Sequence, residues 1–213
     1  MSLSAKILVT GFGAFPGAPF NPSAAIVARL AGAPARRLAR LGVRLETRIL
    51  PVIFEGAEAR LAAMLDEVAP GAVLHVGLAG RRKTLGVETR AKNFLSLLHP
   101  DAGKRGAASR LIDPGGPLAR PVRLPARRLC VALTRAGAPA RLSIDAGAYA
   151  CNQTLWLTLA RDAALVGFIH VPRPRGRRRL DRALKPARPT LAATTRAIEA
   201  ALALVATELR RAG

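Results

Sequence analysis

Cysteine is scarce in this chain: Cys130 and Cys151 are the only two in 213 residues. Two thiols build no disulfide framework, and no Cys or His spacing matches a zinc site. A reducing compartment keeps both as thiols, which leaves room for a catalytic one and calls for no metal. Long apolar runs are missing as well; none approaches the ~18 residues that span a bilayer. Met1 to Phe15 lacks the basic start, apolar stretch and small-residue cleavage site of a signal peptide, so a cytoplasmic protein without membrane contact is expected. Acidic residues are few, 13 against 34 Lys and Arg, for a net charge of +21. Taken alone, that balance points to a polyanion partner. The charge is nearly all arginine, however, and is scattered from Arg29 to Arg211. The one dense run, Arg173, Arg175, Arg177, Arg178 and Arg179, has no aromatic residues interleaved for base stacking. A solvated basic surface without specific nucleic-acid binding is the expectation. The abundance of Ala, Arg, Gly and Pro matches the coding bias of a GC-rich genome.

What is present is enough apolar material for a core. Half of the residues are hydrophobic, which excludes disorder, and the length suits one domain spanning residues 1–213. Lys6 to Thr10 is a short apolar run ending in Gly11 and reads as a buried strand. Asn21-Pro22-Ser23 opens a helix, with Asn21 as N-cap and Pro22 at the first helical position. Val43 to Val52 alternates as a second strand, and Leu61, Met64, Leu65 and Val68 repeat at helical spacing up to Pro70-Gly71. Ala72 to Val76 is a third strand. The stretch from Arg81 to Pro125 is rich in Gly, Pro and Arg and reads mostly as loop. A short helix over Arg127 to Arg135, a strand over Arg141 to Ile144, a helix from about Cys151 to Arg161 and a strand over Leu165 to Val171 follow. Leu191, Ile198, Leu202, Val205 and Leu209 mark a long amphipathic C-terminal helix. This alternation predicts an α/β fold with a twisted, mainly parallel central sheet and helices on both faces.

The segment 141–171 carries the chemistry. Read as a strand–helix–strand unit with parallel, neighbouring strands, it brings Cys151 at the helix start and His170 near the end of the returning strand to one carboxyl edge, where open α/β proteins place their sites. Unpaired N–H groups at a helix start favour a thiolate and can hold an oxyanion. A neighbouring imidazole would serve as base and then return its proton to the leaving amine. Each residue has a plainer reading: free cysteine is among the most buried residue types, and a histidine in an apolar strand is commonly structural. Spacing alone leaves both open.

Four segments add a resemblance. Leu8-Val9-Thr10-Gly11-Phe12-Gly13-Ala14-Phe15, continuing to Asn21-Pro22-Ser23, resembles the N-terminal signature of the pyroglutamyl peptidase I (pyrrolidone carboxyl peptidase) family. Asp145-Ala146-Gly147-Ala148-Tyr149-Ala150-Cys151-Asn152 is similar to its nucleophile motif, and Gly167-Phe168-Ile169-His170-Val171-Pro172 to its histidine motif. His75-Val76-Gly77-Leu78-Ala79-Gly80, followed by Glu88 and Asn93, resembles its glutamate segment. The resemblance implies a cysteine omega-peptidase that removes N-terminal pyroglutamate through a thioester, with no cofactor. In that case Cys151 is the nucleophile, His170 the base and Glu88 the group that orients it. Phe12 and Phe15 match the aromatic residues around the pyroglutamyl ring, although a packed loop would use them as well. Peptides with a blocked N-terminus are the implied partners, and a homo-oligomer such as a tetramer the implied assembly. Departures stand beside the matches. Leu78 occupies a place where the family typically has Gln and is carried here as a substrate-binding position. Thr89 follows the glutamate where Arg is typical, residues 93–124 bear little likeness, and Arg173 follows Pro172. A thiol amidohydrolase with another N-acyl substrate, or a non-enzymatic anion or nucleic-acid binder, are the competing readings.

Overall fold

In strand β1 (Lys6–Phe12), Ile7, Leu8 and Val9 are all inaccessible to solvent, so both faces of the strand are covered. That pattern marks an interior strand of an α/β sheet. The computed structural model describes residues 5–161, 165–175 and 188–212. Within them β1 is followed by α1 (Pro22–Leu30), α2 (Ala33–Ala39), β2 (Arg44–Leu50), α3 (Ala57–Val68), β3 (Ala72–Leu78), β4 (Leu85–Glu88), β5 (Arg90–Lys92), β6 (Ala119–Pro121), α4 (Ala126–Arg135), β7 (Ala140–Ser143), α5 (Ala150–Leu159), β8 (Leu165–Val171) and α6 (Leu191–Ala212). Six strands form one sheet in the order β2-β1-β3-β8-β4-β7, and β5 pairs with β6 in a separate ribbon. Strands β2, β1, β3 and β8 run parallel to one another. The sheet is mostly parallel and flanked by helices, as expected.

Side-chain alternation assigns each strand residue to a face. Ile7, Val9, Leu74, Val76, Ile169 and Val171 join Ile26 of α1, Leu129 of α4 and Ile198 and Leu202 of α6 in one core. Leu8, Phe12, Val73, Val166 and Phe168 join Leu61 and Leu65 of α3 and Leu155 and Trp156 of α5 in the other. Each fully buried aliphatic or aromatic side chain contributes about 1.5–3 kcal/mol from removal of apolar surface from water. Asn21 caps α1 through a 3.1 Å bond from the Ser23 amide. Its other amide end donates to the Gly13 carbonyl at 2.9 Å, which ties down the loop carrying Phe15.

The stretch 81–125 is mostly loop, as expected, but it also holds β4, β5 and β6, and β4 is an interior strand of the main sheet. Leu85 and Val87 alone give too short an alternation to register, and the strand is completed by hydrogen bonding to β7 and β8 far along the chain. One expectation needs correction: strands β7 and β8 are neither adjacent nor parallel. Strand β4 lies between them, parallel to β7 and antiparallel to β8. Cys151 nonetheless reaches the carboxyl end of β8, because residues 144–149 carry the chain from the sheet edge to the start of α5 before the helix runs back down the sheet. Of the basic run, Arg177, Arg178 and Arg179 lie outside the described residues, while Arg173 and Arg175 are exposed.

Candidate active site

The alternation that builds the α3/α5 core also presents polar residues on the same face. On β8 it follows Val166 and Phe168 with His170, and on β4 it opposes Leu85 and Val87 with Gly86 and Glu88. His170 Nδ1 and Glu88 Oε1 are 2.7 Å apart, and both residues are buried. A carboxylate oxygen accepts, so Nδ1 carries the proton and Nε2 is left as the basic nitrogen. Cys151 stands in the first turn of α5, directly above Gly77 of β3. A Cβ on Gly77 would lie 2.8 Å from Cys151 Sγ and 2.6 Å from Phe168 Cζ. The thiol therefore occupies the space that any side chain at position 77 would need. Gly77 pairs with His170 across β3 and β8, so Cys151 and His170 converge over one pair of strands.

Burial pushes the Cys151 thiol up to about 12, the negative charge of Glu88 adds to the rise, and its own backbone N–H opposes it. Burial and the charge of Glu88 both favour the neutral thiol over the thiolate. Tyr149, at the N-cap, offers no side-chain cap to α5. The first-turn N–H groups of α5 lack intrahelical acceptors and are available to a developing negative charge beside Sγ. Glu88 has a further partner: Arg82 Nη1 donates to the same Oε1 at 2.8 Å. The guanidinium continues to Ser143 Oγ at 3.0 Å and the Asp145 carbonyl at 2.9 Å. Arg82 thus binds the carboxylate and the loop leading to Cys151 in one contact set. Glu88 Oε2 has no hydrogen-bond partner among the described residues.

Cys151 and His170 line a cavity of about 460 Å³, together with Phe12, Phe15, Val52 and Leu78. Both phenylalanines serve two purposes. Phe12 is core as well as wall, packed 6.1 Å from the ring of Phe168, and Phe15 meets Tyr149 at 5.7 Å. Leu78, at the end of β3, contributes an apolar surface where a Gln would offer hydrogen bonds. Arg81, Arg82 and Asp145 form the polar side of the same cavity.

All six residues singled out in the sequence thus meet here: Cys151, His170, Phe12, Phe15 and Leu78 line the cavity, and Glu88 bonds His170. Sequence reasoning missed Arg82, whose side chain crosses Gly86 to reach Glu88; the only local hint is a glycine within an apolar triplet, Leu85-Gly86-Val87. It also missed Asn152, whose side chain accepts from the Lys92 amide at 2.9 Å and donates to the Lys92 and Phe94 carbonyls at 2.7 and 2.9 Å. Those bonds fix α5 to the segment that follows Glu88. His75 has no part in the cavity. It lies fully buried between Thr10 Oγ1 at 2.7 Å and Thr158 Oγ1 at 2.9 Å, and burial lowers it to about 3, so it stays neutral. Among the described residues no cluster of His, Cys, Asp or Glu could hold a metal ion, and no helix is long and apolar enough to cross a membrane.

A family model described as pyroglutamyl peptidase matches residues 5–207. A pyrrolidone-carboxylate peptidase of Pyrococcus furiosus is 36% identical over 172 residues, covering 78% of this chain and 80% of its own. One from Escherichia fergusonii is 34% identical over 203 residues, 92% of this chain and 90% of its own. Among solved structures, the pyrrolidone carboxyl peptidase of Thermus thermophilus superposes with a TM-score of 0.78 at 38% identity, covering 92% of this chain and 98% of that one.

Proposed function

The chain belongs to the pyroglutamyl peptidase family of cysteine peptidases, and we propose that it removes N-terminal pyroglutamate from peptides through Cys151, His170 and Glu88. The observation that carries this reading is the 2.7 Å contact between Glu88 Oε1 and His170 Nδ1, made on the cavity wall that also holds Cys151. Glu88 holds the Nδ1–H tautomer and stabilises the imidazolium that forms. Because the surroundings of Cys151 disfavour the thiolate, its proton passes to His170 Nε2 as Sγ attacks the acyl carbonyl. The S–C bond forms, the carbonyl oxygen takes up negative charge, and the first-turn N–H groups of α5 stabilise it. Collapse breaks the C–N bond, and His170 returns the proton to the departing amine. Water, deprotonated by His170, then hydrolyses the thioester, releasing pyroglutamate and restoring the thiol.

The apolar wall of Phe12, Phe15, Val52 and Leu78 suits the methylene edge of a five-membered lactam ring. Leu78 favours a second reading, an amidohydrolase of the same mechanism acting on a different N-acyl group, because leucine cannot hydrogen-bond the lactam amide. Release of a fluorescent amine from a pyroglutamyl amide, under reducing conditions at neutral pH, tests the first reading. Wild type should turn over and Cys151→Ala should lose roughly a thousandfold or more. A well-folded wild type that leaves this amide intact but cleaves another N-acyl amide would overturn the pyroglutamyl assignment in favour of the second.

A further inference from the structure

A cleft of about 870 Å³ adjoins the catalytic cavity and shares Arg81 and Arg82 with it. Lys83 and Arg141 complete its charged lining, and no carboxylate contributes. Register explains the arrangement. Arg141 of the edge strand β7 pairs with Gly86 of β4, over which the Arg82 side chain lies, and Ser143 pairs with Glu88. From Cys151 outward, the face of the sheet runs from β3 and β8 to β4 with its Arg82–Glu88 pair, and then to the cationic edge at β7. Arg82 is engaged by Glu88. Arg81, Lys83 and Arg141 are exposed and make no ion pair among the described residues. Asp145, which lines the catalytic cavity, is held by Lys92 at 3.0 Å. Three cations without ion pairs among the described residues thus converge on a concave surface that shares Arg81 and Arg82 with the catalytic cavity.

A peptide whose acyl end sits against Phe12, Phe15 and Leu78 can leave the cavity past Arg81 and Arg82, which the cleft shares. We propose that the cleft lined by Arg81, Lys83 and Arg141 is a binding subsite for acidic side chains of the leaving peptide, so that the enzyme favours acidic peptides. This rests on the reading of the catalytic cavity given above. Each exposed ion pair contributes little, but convergent charges in a concave site add, and the sum is screened by salt.

Binding rather than turnover provides the test. A fluorescein-labelled peptide, pyroglutamyl-Ala-Glu-Glu-Ala, and its counterpart with Gln in place of both Glu are titrated against the Cys151→Ala protein by anisotropy. At low ionic strength the acidic peptide should bind about tenfold more tightly, with the difference shrinking as salt rises. Adding Lys83→Glu and Arg141→Glu should remove the difference. Arg40→Glu, beside the opposite edge of the sheet, should preserve it. Equal binding of the two peptides, or an equal loss with Arg40→Glu, would overturn the subsite, the second by showing only the pull of the net charge. Tighter binding of an oligonucleotide of matched charge, dependent on the same residues, would overturn the peptide assignment. The acid-dependent difference does not require pyroglutamate to be the preferred acyl group, so a failure of the amide assay and a failure of this one are distinguishable.

Discussion

A methyl group on Gly86 would overlap Arg82 Nη1, so the guanidinium reaches Glu88 only because residue 86 has no side chain. The two residues act as a unit: one supplies the contact and the other the passage. Since the clash involves the end of a flexible side chain, Gly86→Ala should spare the fold and break the contact. Loss of one charge-assisted hydrogen bond at Glu88 is expected to lower kcat/KM roughly 10–100-fold. Arg82→Met should match it, with Arg82→Lys intermediate. Both should shift the pH dependence of Cys151 alkylation to higher pH, because the charge of Glu88 already opposes the thiolate. The groups facing that thiol are Glu88, His170, Arg81, Arg82, Asp145 and Tyr149. Unchanged rate and alkylation profile in Gly86→Ala would show that Arg82 plays no part in holding Glu88.

Gly77 lies under Cys151. In Gly77→Ala the new carbon meets Phe168 at 2.6 Å and Cys151 Sγ at 2.8 Å, and neither lies at the end of a long flexible chain. Overpacking of this kind costs about 1–3 kcal/mol. The variant should unfold at lower denaturant concentration and, where still folded, have lost most of its kcat with little change in KM. A folded variant with wild-type kcat would show that Sγ moves freely away from Gly77.

His75 makes stability depend on pH. Burial lowers it from the ordinary 6.5 to about 3, so between those values the unfolded chain binds a proton that the folded protein does not. Stability from this group is complete above pH 6.5 and is lost as pH falls, by at most about 1.4 kcal/mol per unit down to the folded value. Urea unfolding at a series of pH values should show the decline in wild type and a shallower one in His75→Gln. Parallel curves would mean that other groups set the acid limb.

Leu78→Gln puts a hydrogen-bonding group at the end of β3 on the cavity wall. If the pyroglutamyl lactam lies against this position, KM for a pyroglutamyl amide should fall about 3–10-fold, the worth of one hydrogen bond. An unchanged or raised KM would place the polar edge of the ring elsewhere.

Much of the fold is legible along the chain. Strands β1, β3 and β8 declare themselves as apolar runs because they are covered on both faces, and α1 begins where Asn21 and Pro22 say it should. Strand β4 does not, since its Gly86 and Glu88 serve the site rather than the core and leave only Leu85 and Val87 as apolar signal. The direction of β4 was hidden too, and with it the separation of β7 from β8. Cys151, His170 and Glu88 could be picked out because they sit in recognisable local motifs. Arg82 and Asn152 could not, because their partners lie on other elements.

By itself the sequence determined strands β1, β2, β3, β7 and β8 and helices α1, α3, α4, α5 and α6, where the first helix is capped, and which residues carry the family's motifs. Those properties depend on neighbours a few positions away: side-chain alternation, caps and short motifs. Only the tertiary structure decided that Glu88 meets His170 from 82 positions away, that Cys151 rests on Gly77, and that Arg82 passes over Gly86 beside a cationic edge. These follow from strand order and direction, which hydrogen bonding between distant segments and the packing of two cores select together, and no local pattern encodes them.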